Sequence, residues 1–324
     1  MNIVGVNRDP GRTESERPPI DLRSPARGGV RGIARLLSLR WDRPVFLALS
    51  SVSLVALGLI VAFIFREALP LLRRVPLSNL FGGSWSPTAA SPRFGVLPMV
   101  AGTGIVTAGA LGLAIPLALG AAAFIAEVAP AWCKDIAKSV LELLAGIPSV
   151  VYGFFGLMVV APFLQRTLDL PTGRTALTGA VILGIMALPT IASLAEDALT
   201  AVPNAYREAS MAVGATRWQT IRRVTVPAAF SGLIGAGILG MGRAVGETMA
   251  VLMVAGNAPQ ITGSLLKPVR TLTSTIALEM AETPFGSDHY RALFLLGALL
   301  LLITLLMNGL AEWLRGRIAR RHGR

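Results

Sequence analysis

"YREASMAVGATRWQTIRRVTVP", Tyr206 to Pro227, is polar and basic, yet it lies between two long apolar segments, about 176–200 and 228–254. Its punctuation describes two short helices joined by a bend. Pro203 closes the preceding segment and Asn204 stands where a residue of its type caps a helix. That helix is expected over about 205–213, and Gly214 supplies the left-handed or tight conformation that ends it. Thr216 and Gln219 have capping-box spacing for a second helix, and Pro227 suits the first turn of the next one. A helix of about nine residues is marginal alone in water. It therefore needs a surface, which is either its own bundle or a partner.

The flanking segments decide the setting. The chain has 324 residues, 53% hydrophobic and 15% charged, with a mean hydropathy of +0.63. A soluble domain carries roughly 25% charged residues. The apolar residues fall in blocks such as "PVFLALSSVSLVALGLIVAFIF" (44–65), which holds no charge. About 20 such residues cross a bilayer as a helix. Six spans are expected, at about 44–65, 97–126, 139–164, 176–200, 228–254 and 292–313. The fold class is an all-α integral membrane protein.

Topology follows from the basic residues. With the N-terminus inside, the segments 1–43, 127–138, 201–227 and 314–324 hold about twenty of the 30 Lys and Arg, as cytoplasmic loops do. Both termini are thus expected in the cytoplasm, and the Tyr206–Pro227 stretch with them. The net charge of +12 is accounted for by this bias and does not call for nucleic acid. Residues 1–43 are too polar, and the following apolar segment too long, for a signal peptide. They read as a disordered cytoplasmic tail, 44–314 as the membrane domain and 315–324 as a basic tail. Cys133 is the only cysteine, so no internal disulfide or cysteine metal cluster is available. No G-x-x-x-x-G-K-[ST] loop occurs. No cofactor, metal or enzymatic activity is expected of this chain.

Glu208-Ala209-Ser210, Gly214, Val224 and Val226-Pro227 resemble the EAA signature of ABC importer permeases: E-A-A, three residues, G, nine residues, I-x-L-P. Ser210, Val224 and Val226 depart from it conservatively. The resemblance implies a type I ABC importer permease fold. It also implies that the loop 201–227 docks on a separate cytoplasmic ATPase, through Tyr206, Arg207, Glu208, Ala209, Ser210, Gly214 and Ala215.

Two further motifs lie inside apolar spans. Arg243 and Glu247 in "MGRAVGETMAVLMV" are four residues apart and are expected on one helical face. An intramembrane Arg or acidic residue costs about 2.5–3.5 kcal/mol on insertion scales and usually faces a wet cavity or another helix. The pair reads either as part of a substrate pathway or as a packing device. A permanently charged guanidinium matches oxyanion geometry. In "AGIPSVV", Pro148 permits a kink, and Gly146 and Ser149 permit close helix approach. Pro116 and Pro189 pose the same choice between kink and gate. Glu142, Glu196 and Asp197, near span ends, are expected to be solvated or packed against neighbouring loops.

"LELLAGIPSVVYGFFGL" (141–157), "FGVLPMVAGTGIVT" (94–107) and "GRAVGETMAVLMVAGN" (242–257) are similar to the PstC-type permeases of phosphate ABC importers. This resemblance covers about 44–314. It implies Arg243 and Glu247 as pathway residues and inorganic phosphate as the substrate. It also implies a PstA-like second permease, PstB-like ATPase subunits and a PstS-like extracytoplasmic binding protein. A permease for molybdate or sulfate, a PstA-type subunit, and a secondary transporter or channel remain alternatives.

Overall fold

In a computed structural model the described residues are 29–322. Among the described residues, six helices are long and apolar enough to cross a membrane. The first, α1 (Gly29–Arg74), contains the apolar run Pro44–Arg74. The expected tail 1–43 falls outside the described residues up to 28, whereas the backbone of 29–43 is helical. The chain divides into two units, Met1–Leu59 and Ile60–Arg324. In the first unit the side chains from 44 to 59 are all exposed, as lipid-facing residues of a spanning helix are.

The second unit holds the remaining spans. They are α2 (Leu97–Val128), then α4 (Ser149–Thr167) after a separate helix α3 (Ala131–Gly146), and α5 (Ala176–Thr200). After the short helix α6 (Asn204–Ala212) come α7 (Arg217–Gly246), α8 (Met249–Val254) and α9 (Leu272–Glu279). The last, α10 (Asp288–His322), carries the sixth apolar run, Asp288–Trp313. Its helical backbone continues through 315–322, part of the expected basic tail. A two-stranded antiparallel hairpin, β1 (Trp85–Ser86) and β2 (Arg93–Phe94), precedes α2.

The centre of the unit is α2 against α5. Lipid offers no hydrophobic drive for helices to associate, so close packing of small residues has to do it. On α2, Ala110, Ala114, Ala118 and Ala122 recur every fourth residue, and all are fully buried. They pack in clusters with Leu183, Ala187, Ile191 and Ala195 of α5. A Cβ on Gly184 would stand 3.1 Å from the Ala110 carbonyl oxygen. Pro116 and Pro189 lie within these two helices without interrupting them, the freed carbonyls being tolerated where neighbouring helices pack.

Two expected spans are interrupted. The third, expected over about 139–164, is broken at Ile147 and Pro148, both extended, with ψ of 131° and 140°. Pro148 therefore does more than kink the helix. It disfavours the helical conformation in the residue before it, and α3 stops. The fifth, expected over about 228–254, breaks at Glu247, which is also extended with ψ of 131°. No proline marks that site. Gly146 does not mediate a close approach either: a Cβ there would meet nothing within 4 Å. The close approaches fall at Gly153 and Gly156, seven and ten residues later. A Cβ on Gly153 would lie 2.8 Å from Met253 Sδ and 3.0 Å from Ala250 Cα, and one on Gly156 would lie 2.6 Å from Ile182 Cγ1 and 2.8 Å from Val254 Cγ1. These two glycines, not Gly146, seat α4 on α8 and α5. Ser149 is the first residue of α4.

Candidate functional site

The two breaks meet at Arg243. Its Nη1 donates to Thr190 Oγ1 at 2.8 Å, and its Nη2 donates to the Ala145 carbonyl at 3.3 Å. The last carbonyls of α3 have no intrahelical partners, and a cation at that end also complements the helix dipole. Tyr152 assists: its hydroxyl donates to the Leu144 carbonyl at 2.8 Å. Arg243 thus ties α7 to the C-terminus of α3 and to the middle of α5. Thr190 lies about 21 Å along a helix about 37 Å long, so this charge sits near mid-span.

Glu247 faces a different set of groups. Its Oε1 accepts the Ala250 N–H at 3.1 Å, and its carbonyl accepts the Thr273 hydroxyl at 2.8 Å. It caps α8 and anchors α9. The expectation that Arg243 and Glu247 share one helical face is corrected here. The helix ends at Gly246, between them, and the carboxylate is directed to the next element. Two broken helices near mid-span thus share a half-buried guanidinium at their junction. The sequence reading expected Pro148 and Arg243 but did not connect them through Ala145 and Thr190.

The loop from 201 to 227 is built much as its punctuation expects. α6 starts at Asn204, Gly214 has φ of +88°, and the Thr216–Gln219 capping box is present on both sides. Asn204 is not the cap. Pro203 holds that position and makes no side-chain bond, and the Asn204 Oδ1 accepts from Arg207 Nη1 at 3.1 Å. No residue of α6 is buried. Tyr206, Glu208, Ala209 and Gly214 are exposed, as are Met211, Trp218 and Val213, the last 86% exposed. Ala215 is half-buried, and Ser210 Oγ lies 2.9 Å from Thr220 Oγ1. Arg207 points the other way, into its own bundle. Its Nη2 donates to Glu127 Oε1 at 2.7 Å and to the Leu199 carbonyl at 2.9 Å.

Near that loop, Glu196 is only 2% exposed. Of the two expectations for it, solvated or packed against neighbouring loops, the packed one describes it: a buried carboxylate in an ion cluster with residues of 127–138. Lys134 Nζ lies 3.0 Å and Lys138 Nζ 3.1 Å from its two oxygens, and Thr200 donates to it at 2.8 Å. Lys138 also reaches Asp197 at 2.8 Å. Its pKa is raised above the ordinary lysine value, first by the Asp197 hydrogen bond and then by the Glu196 one. Glu142 is exposed.

The opposite end carries a group that the sequence does not announce. Glu279 accepts from Trp85 Nε1 at 3.0 Å and from Arg270 Nη1 at 2.6 Å, and His289 Nε2 lies 2.8 Å from its other oxygen. These residues line a cavity of about 590 Å³. They join the hairpin, the 255–271 loop, α9 and the start of α10. Among the described residues no cluster of three His, Cys, Asp or Glu is placed to hold a metal ion.

Comparison with known proteins places these features. Residues 114–321 match the family described as "Binding-protein-dependent transport system inner membrane component". The probable ABC transporter permease protein YqgH of Bacillus subtilis is 44% identical over 242 residues, covering 75% of this chain and 78% of the relative. The phosphate transport system permease protein PstC of Mesorhizobium japonicum is 38% identical over 289 residues, covering 83% and 88%. Among solved structures, an inward-facing MetNI methionine ABC transporter matches with a TM-score of 0.52 at 21% identity, over 69% of this chain and 94% of that one. A bacterial ABC transporter that imports alginate matches with a TM-score of 0.56 at 15% identity, over 87% and 99%. At those identities the structures speak for the fold alone, and it is the type I ABC importer permease fold. The chain belongs to the binding-protein-dependent transport permeases: it is a multi-pass inner-membrane subunit of the ABC importer family.

Proposed function

We propose that this chain is the translocation subunit of an ATP-driven importer of inorganic phosphate. The observation that carries the substrate assignment is Arg243, a half-buried guanidinium near mid-span at the junction of two broken helices. The similarity to PstC of Mesorhizobium japonicum supports the same assignment. Phosphate reaching the junction competes with the Thr190 hydroxyl and the Ala145 carbonyl for the guanidinium. Both are neutral acceptors, and charge-assisted bonds are stronger. Glu247, one turn further along the chain, tempers the positive field so that the anion can leave again, as conduction requires.

The 201–227 loop docks on a cytoplasmic ATPase through the exposed face of α6 and its turn, with Tyr206, Glu208, Ala209, Gly214 and Val213 outermost. The chain's termini are then cytoplasmic, in keeping with its Lys and Arg distribution. A PstA-like permease completes the pathway, two PstB-like ATPase subunits drive it and a PstS-like protein delivers phosphate from outside. ATP binding closes the ATPase dimer and opens the pathway outward, and hydrolysis resets it. Nucleotide drives this only through its different contacts with the two states. The experiment is to purify the chain from its native membrane and ask whether an ATPase accompanies it. An ATPase that leaves when Val213 is changed to Asp supports the docking assignment. Transport that persists without any ATPase contradicts it and favours a secondary transporter or channel.

A further inference from the structure

Arg207 adjoins the Glu208-Ala209-Ser210 signature, but its side chain is only 16% exposed and turns away from the outer face of the loop. Its guanidinium uses every edge. Nε lies 3.1 Å and 3.2 Å from the two oxygens of Glu127, and Nη2 lies 2.7 Å from Oε1. Nη2 also donates to the Leu199 carbonyl, and Nη1 donates to the Val202 carbonyl and Asn204 Oδ1. Glu127, 8% exposed, sits in a π turn, Phe124–Val128, at the end of α2. Leu199 and Val202 mark the end of α5 and the turn after it.

α6 has no fully buried side chain, so hydrophobic burial alone holds it only weakly to the bundle. Among the described residues, the side-chain hydrogen bonds that α6 makes outside its own turns are the Arg207 set and the Ser210–Thr220 pair. A helix pushed by a partner moves the bundle only if the joint between them is stiff. A guanidinium bound bidentately to a carboxylate, with carbonyls on its remaining edges, is a geometrically demanding joint of that kind. It reaches the ends of α2 and α5, the two helices that form the centre of the unit.

We propose that Arg207 is a positioning residue: paired with Glu127, it locks the docking helix to the ends of α2 and α5, so that displacement of the loop by an ATPase moves the bundle instead of being absorbed. This rests on the docking assignment made above. Lysine cannot replace the arginine, because a single ammonium cannot span the carboxylate and the two carbonyls together.

The test uses the whole complex in proteoliposomes, with inorganic phosphate as the probe, and reads uptake per ATP hydrolysed. Arg207→Gln and Arg207→Lys are expected to retain the ATPase at wild-type stoichiometry while that ratio falls about tenfold, within the usual range of coupling energies. Glu127→Gln should lower it in the same direction. Arg207→Glu combined with Glu127→Arg should recover part of the loss, which a general defect in folding would not. A wild-type ratio in Arg207→Gln overturns the proposal, as does loss of the ATPase from that variant. Val213→Asp serves as the separate check on docking: if it keeps both the ATPase and the ratio, the docking assignment fails whatever Arg207 does.

Discussion

Arg243 and Glu247 are separated by one helical turn in sequence but belong to different elements: the guanidinium closes the end of α3 and the carboxylate opens α8. The break between them turns a candidate ion pair into two independent groups at one junction. The consequence is a division of labour. Replacing Arg243 removes the guanidinium bonded to Thr190 and Ala145, while replacing Glu247 removes the side-chain acceptor of the Ala250 N–H and loosens the start of α8; the main-chain bond to Thr273 of α9 does not depend on the Glu247 side chain.

Arg243→Gln is expected to abolish phosphate uptake while the complex still assembles. Arg243→Lys keeps the charge but cannot reach Thr190 and Ala145 together. Loss of one hydrogen bond from a charged group is worth about 1.5–3 kcal/mol, so uptake should drop by at least about tenfold. Uptake assays alongside copurification separate the outcomes. Failure of assembly in both variants would assign Arg243 to packing alone.

Removing the carboxylate of Glu196 leaves Lys134 and Lys138 without their buried acceptor. Glu196→Ala should destabilise the purified protein by about 1–3 kcal/mol, read as a lower midpoint in thermal unfolding. The lysine contribution has a definite pH sense. Because the Lys138 pKa is raised in the folded protein, its contribution is fully present below the ordinary lysine value and disappears only as pH rises through the raised one. Lysine deprotonation should therefore not weaken the α3–α5 link anywhere across neutral pH. Midpoints measured for wild type and Glu196→Ala at several pH values check this.

Gly156→Val and Gly146→Val make a matched pair. The first forces atoms to within 3 Å of Ile182 and Val254, and the second enters open space. Overpacking costs about 1–3 kcal/mol, so Gly156→Val should lower the yield and unfolding midpoint of the purified protein. Gly146→Val should leave both close to wild type. Equal damage from the two would contradict the placement of the tight helix contacts.

Gly214→Val places a β-branched residue at φ of +88°. The bend should be strained and redirected, since L-residues avoid that region. No side chain stands in the way, so the membrane bundle is expected to fold. ATPase association should fall sharply in a pull-down from solubilised membranes. Undiminished association would show that the bend does not set the docking face.

The spans were legible because twenty apolar residues in a row leave few alternatives, and α5 begins and ends where its apolar block does. The 201–227 loop was legible because its signals are local: Gly214, Thr216 and Gln219 determine their own backbone. Pro148 announced a disturbance but not its extent, since whether a helix bends or stops depends on what accepts the freed groups. Here Tyr152, eight residues on, and Arg243, 98 residues on, take the α3 carbonyls, and only the first is near in sequence. The break at Glu247 has no proline and no glycine after it, so no local signal marked it. Arg207 and Glu127 are 80 residues apart, and Trp85 and Glu279 are 194 apart. Such pairs form only once helices have packed, and a single sequence carries no trace of them.

The proposed function requires phosphate to pass through this chain under the drive of ATP. The most direct measurement is uptake of radiolabelled phosphate into proteoliposomes holding the complete complex and its binding protein, with ATP on the ATPase side. Uptake should require ATP, be lost in Arg243→Gln, and be competed by excess unlabelled phosphate but not by equal molybdate or sulfate. Uptake without ATP, or uptake displaced by molybdate or sulfate and indifferent to phosphate, would contradict it.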